Sequence, residues 1–172
     1  MSKEKKYTVR FYAGFSENGA PKISKLLKDI YNDFLNKKPI PHIRIEEKSY
    51  ELRNFVSLND GTSFKGVLAT VRDDAPHIRK SNGKEETIKL EEDEGVMEKN
   101  HFLYFKENEL LVWQQNSSAS FVGRFAQYLS TICEKTVSFD DILTKESWKK
   151  LESGNIRKFE FKVSRPKSDL IP

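Results

Sequence analysis

The stretch that decides the fold is His101-Phe-Leu-Tyr-Phe-Lys-Glu-Asn-Glu-Leu-Leu-Val-Trp113. Two apolar runs, 101–105 and 110–113, flank the polar Lys106-Glu-Asn-Glu109, which is the pattern of a β-hairpin with a four-residue loop. Each run is apolar on consecutive residues, so each strand has two apolar faces. That predicts a central place in a sheet, covered on each side, rather than an exposed edge.

Working outward, further strands follow. Residues 7–12 alternate Tyr7, Val9 and Phe11 with Thr8 and Arg10. Residues 42–47 set Ile43 and Ile45 on one side, and residues 50–58 carry Tyr50, Leu52, Phe55, Val56 and Leu58. Residues 64–71 run mostly apolar around Gly66, where a glycine points to a bulge or to close approach of another backbone. The span from Gly14 to Gly19 reads as a turn, as do 73–83, and 87–90 reads as a short strand.

Two segments change to helical spacing. Ile23, Leu26, Leu27, Ile30, Tyr31, Phe34 and Leu35 form one apolar stripe, with Pro21 suited to the first turn and Pro39 and Pro41 closing the helix. Phe121, Val122, Phe125, Leu129, Ile132 and Cys133 form a second stripe after Gln114-Gln-Asn-Ser-Ser118, which offers N-cap residues. Residues 137–139 suggest a short strand, 145–152 a short helix, and 156–164 a strand with Phe159, Phe161 and Val163 on one face. Helices set apart from strand runs predict an α+β fold: a largely antiparallel β-sheet, two main helices and one short C-terminal helix, in a single domain over 1–172, alone or as part of a larger assembly.

Composition narrows the function classes. With 37% hydrophobic and 33% charged residues and twelve Phe, the chain of 172 residues is globular. The single cysteine, Cys133, permits no internal disulfide, and the polar start lacks a signal peptide, so a cytoplasmic location without membrane contact is expected. Phosphate-loop, dinucleotide and serine-hydrolase motifs are absent, and no cofactor or metal is expected. His42, His77 and His101 have no metal-binding spacing, Cys133 sits on an apolar helix face, and Gly123 reads as a close helix–sheet contact. The acidic run from Glu91 to Glu94 reads as a solvated loop, since it lacks the ligand alternation of a calcium loop.

Charge is uneven. Residues 84–109 hold nine acidic and four basic side chains, while the chain as a whole is +4. Lys22, Lys25 and Lys28 lie on the outer side of the first helix, with Lys37 and Lys38 at its end. Lys149, Lys150, Arg157, Lys158, Lys162 and Arg165 crowd the C-terminal part and are the candidate nucleic-acid contacts. One catalytic constellation competes with this reading. Asp140 or Asp141 with Glu160 and Lys162 has the spacing of a metal-dependent nuclease, in which carboxylates hold a divalent ion and the lysine assists the attacking water. Asp140 and Asp141 also suit capping or a turn at a strand end, which makes the nuclease the alternative.

From Glu91 to Pro166 the chain passes through an acidic stretch, His-Phe-Leu-Tyr-Phe, Gln-Gln-Asn-Ser, an aromatic helix and Lys-Phe-Glu-Phe-Lys-Val-Ser-Arg-Pro. This order resembles uncharacterised bacterial proteins associated with mobile elements or phage defence, and the resemblance implies a role in phage–host conflict. The expected function is a non-enzymatic binding module for nucleic acid or a protein partner, with a homo-oligomer or an interaction domain of a larger effector as further forms.

Overall fold

The computed structural model describes residues 8–72, 74–91 and 94–142, all within the unit Met1–Ile142. In chain order these form β1 (Thr8–Ser16), α1 (Ile23–Leu35), β2 (Ile43–Ile45), β3 (Lys48–Leu58), a 3-10 turn (Asn59–Gly61) and β4 (Ser63–Arg72). There follow β5 (His77–Arg79), β6 (Glu85–Thr87), β7 (Val96–Phe105), β8 (Leu110–Gln115), α2 (Val122–Cys133) and β9 (Val137–Asp141). The class is α+β. Seven strands make one sheet in the order β2-β3-β4-β7-β8-β1-β9, with antiparallel pairing throughout, and β5-β6 is a separate hairpin.

The hairpin of residues 101–113 is central in the sheet. β7 and β8 pair from Phe105↔Leu110 to Phe102↔Trp113, with Lys106-Glu-Asn-Glu109 as their loop. The first strand inserts beside β8, pairing Phe11↔Val112, and β9 adds to its far side. β1 and β2 are therefore five strand positions apart, a distance of about 24 Å at the usual strand spacing. The 13-residue α1 joins them across one face, and a helix of that length spans about 20 Å.

Both helices pack on that same face. Ile23, Leu26, Leu27 and Ile30 of α1 and Phe125, Tyr128 and Leu129 of α2 meet Tyr50, Leu52, Phe64, Leu68, Phe102, Tyr104, Leu111, Trp113 and Tyr12 in one core. Phe125 stacks between Trp113 and Phe139, at 5.7 and 5.5 Å between ring centroids. Asn100, fully buried, joins the layers: its amide donates to the Gln114 carbonyl while its oxygen accepts from the Ser120 amide and hydroxyl. α2 touches both edge strands, β9 and β2, so the sheet curls toward its helices.

Several expectations change. The β7-β8 hairpin is covered by helices on one face only; its other apolar face carries no helix among the described residues. The α1 stripe buries its first half, whereas Phe34 and Leu35 run beyond the sheet and are exposed. Gly14 is strand rather than turn. A Cβ there would lie 2.7 Å from Ile23 Cδ1 and 3.2 Å from the Glu109 carbonyl oxygen, so a larger residue would make the Ile23 tip and the β7-β8 loop give way. Gly66 marks no bulge; it lies beneath the rings of Phe102 and Phe55, and the register shift falls between Arg53 and Val56 in β3. Gly123 makes room for the ring of Phe121, not for the sheet. The polar span 77–87 forms the β5-β6 hairpin, displacing the strand expected at 87–90. The helix expected at 145–152 and the strand at 156–164 lie outside the described residues.

Candidate functional site

A cluster of like charge lies where α1 begins. Lys22, Lys25 and Lys28, together with Ser24, Gly61 and Lys106, line a pocket of about 290 Å³. Three elements create it. The helical repeat brings Lys25 and Lys28 to the same exposed side of α1, close to Lys22 at its N-cap. The β7-β8 loop supplies Lys106, whose amide donates to the Thr62 carbonyl at 3.0 Å and fastens the loop to the 3-10 turn. Gly61, at φ +86°, allows that turn to reverse direction.

Below the lysines lies a polar lock. Glu109, at φ +46°, turns its carboxylate inward to accept from the Ser24 hydroxyl at 2.6 Å, the Ser24 amide at 3.4 Å and the Tyr104 hydroxyl. The Gly14 amide donates to the Glu109 carbonyl at 2.8 Å. α1 has no side-chain cap of its own and no acidic residue in its first turn, so a carboxylate 85 residues away serves one of its first amides, that of Ser24. Burial raises the Tyr104 hydroxyl well above its ordinary value, and its bond to Glu109 raises it further, so it remains a donor. Lys25 is partly neutralised by Asp29 at 3.3 Å. What remains is a recess lined by four lysine side chains, whose positive charge suits an anionic oxygen group approaching from solvent.

At the opposite end of the sheet, Glu46, Lys48, Tyr50, Ser120, Phe121 and Arg124 line a pocket of about 410 Å³. Arg124 donates to Glu46 at 2.5 Å and lies 5.5 Å from the centre of the Phe121 ring. The bond to Arg124 lowers the Glu46 carboxyl below its ordinary value. Here the cation already has a carboxylate, so this pocket is a less open anion site than the lysine recess.

The sequence-derived site residues separate into two groups. Asp140 and Asp141 are exposed at the end of β9, paired with Ala13 and Tyr12 of β1. At this strand end they form ladder pairs with β1. Glu160 and Lys162, and with them Lys149, Lys150, Arg157, Lys158 and Arg165, lie outside the described residues. Among the described residues no group of three or more His, Cys, Asp or Glu side chains could hold a metal ion. His42, His77 and His101 are all exposed, and Cys133 packs against the core edge. Lys22, Lys25 and Lys28 were legible from helical spacing. Lys106 was hidden because its pairing with α1 is made only by the fold, and Glu109 read simply as loop polarity.

No helix among the described residues is long and apolar enough to cross a membrane. The profile of a family of unknown function (DUF6731) matches residues 23–170, and the chain belongs to that family. No curated protein and no solved structure matches the chain.

Proposed function

We propose that this member of a family without an assigned function is a cytoplasmic binding module that contacts the phosphate backbone of nucleic acid. The observation that carries the reading is the recess in which Lys22, Lys25, Lys28 and Lys106 converge around Ser24. Ammonium groups on flexible stems neutralise phosphates without base-specific geometry, and the release of condensed counterions supplies affinity. The C-terminal residues Lys149, Lys150, Arg157, Lys158, Lys162 and Arg165 extend the same chemistry along the chain. Phage–host conflict is the proposed setting, supported by the resemblance of residues 91–166.

The test is fluorescence anisotropy with labelled duplex DNA, single-stranded DNA and RNA across a salt series. If all four lysines engage phosphates, the logarithm of the duplex binding constant should fall with a slope of about −3.6 against the logarithm of salt concentration. That corresponds to about 10²-fold weaker binding between 50 and 200 mM. Lys22→Gln, Lys28→Gln and Lys106→Gln should each reduce the slope by about one unit without changing the circular dichroism spectrum. Unchanged slopes in all three would move the contact to the C-terminal residues; an absence of binding at low salt would leave a protein partner as the ligand.

A further inference from the structure

The face of the sheet opposite the helices carries an apolar band. Strand alternation sends Val9, Phe11 and Phe15 of β1, Leu110 and Val112 of β8, and Leu103 and Phe105 of β7 to this side. Their register makes them one surface, since Phe11 opposes Val112, which opposes Leu103. Phe11 is 53% and Phe15 51% exposed. An antiparallel sheet with one solvated face ordinarily presents polar residues there, so a band of this kind marks a contact.

A second apolar feature has no partner among the described residues. The β5-β6 hairpin has, among the described residues, just three residue pairs and belongs to no larger sheet. A two-stranded hairpin of that size is marginal in water by itself. Ile78 opposes Glu86, and Ile88 follows Glu86 by two residues, so both isoleucines share one face of the hairpin, each 42% exposed. The hairpin leaves the sheet where Arg72 of β4 opposes Val96 of β7, as an arm between two long strands.

We infer that a second copy of this chain covers the band, with the β5-β6 arm of each copy laid along the open sheet face of the other. Shape favours this occupant. The sheet curls toward its helices, so its open face is convex, and a second sheet would touch it over a narrow strip. An arm can follow such a surface. Area agrees. The exposed parts of Val9, Phe11, Phe15, Phe105, Ile78 and Ile88 amount to about 500 Å² at roughly 150–200 Å² per side chain. A standard interface buries about 800 Å² per partner, a little over half of it apolar, or about 450 Å². Reciprocal exchange of this kind closes as a two-fold dimer and leaves neither feature exposed.

Sedimentation velocity on the full chain at about 50 µM tests the inference. The wild type should sediment as a dimer. Phe11→Glu, on the open face, and the pair Ile78→Asp with Ile88→Asp, on the arm, should each give a monomer with an unchanged far-ultraviolet spectrum. Because Phe11, Ile78 and Ile88 are outside the core, these changes leave the helix-covered face intact. A monomeric wild type would overturn the inference and assign the band to another occupant. A dimer that survives either variant would overturn it as well, since the interface would then lie elsewhere. Amide exchange adds an independent reading: the β5-β6 amides should be protected in the wild type and unprotected in Phe11→Glu.

Discussion

The two faces of the seven-stranded sheet are cut from the same strands and have opposite fates. On one, Phe64, Phe102, Tyr104 and Trp113 are almost wholly buried beneath two helices, and Phe125 is stacked among them. On the other, Phe11, Phe15 and Phe105 stand at the surface. Neighbouring residues in one strand therefore contribute very differently: Phe11 is half exposed, while Tyr12 beside it is in the core. Apolar content alone says that a strand is wanted on both sides. It does not say that both sides are covered by the same chain.

The largest expected effect belongs to the covered face. Phe125→Ala should lower stability by about 3–5 kcal/mol, as it removes a ring in contact with Phe102, Trp113 and Phe139. Leu27→Ala, at a fully buried position of α1, should cost about 2–5 kcal/mol. Phe11→Ala, measured at a dilution where the chain is monomeric, should stay within about 0.5 kcal/mol. Urea titrations of the three variants give the comparison directly. A large loss at Phe11 in the dilute monomer would erase the distinction between the faces.

A smaller effect is expected at the polar lock. Glu109→Ala leaves the Ser24 and Tyr104 hydroxyls without their acceptor and should cost about 1–3 kcal/mol. Alkaline pH distinguishes the faces in another way. Burial raises the hydroxyls of Tyr12, Tyr50, Tyr104 and Tyr128, all of them on the covered side. Above about pH 10 the unfolded chain releases these protons while the folded chain retains them, so stability is full below that pH and falls as pH rises. Thermal melts of Tyr104→Phe should start lower at neutral pH yet decline less steeply above pH 10. An equal decline would remove Tyr104 from the account.

The smallest effect is expected at the rim, where Glu46 meets Arg124. The Glu46 carboxyl is held below its ordinary value, so whatever this pair contributes is present above the ordinary carboxylate range and lost as pH falls through the lowered one. Glu46→Gln should shift the melt only slightly at pH 7, because the Glu46 carboxylate is exposed to solvent and its pairing with Arg124 is screened there. The shift should vanish in acid, where a wild type and variant that still differed would point to a packing role for Glu46.

The elements that were legible had a period. The α1 stripe, the β7-β8 hairpin and the aromatic helix all announced themselves through spacing, and their boundaries moved only at the ends. Phe34 and Leu35 misled because a helical stripe cannot reveal where the sheet beneath it stops. Gln114-Gln-Asn-Ser-Ser118 offered capping residues, yet α2 starts at Val122 with Phe121 at its N-cap, a side chain without a hydrogen-bond acceptor. At the candidate site, three lysines followed from helix geometry. The fourth, and the acid below them, depend on a contact between positions 85 residues apart.

The sequence by itself determined the class of structure, an antiparallel sheet with amphipathic helices, because residue periodicity fixes which way side chains point along a strand or a helix. It also set the unequal distribution of charge. Only the tertiary structure decided that both helices share one face, that Glu109 serves the start of α1, and that Lys106 joins Lys22, Lys25 and Lys28. These arise from crossing connections, and a local pattern carries no information about them: periodicity orients a side chain within its own element, whereas the partner it meets depends on how strands distant in sequence are ordered across the sheet.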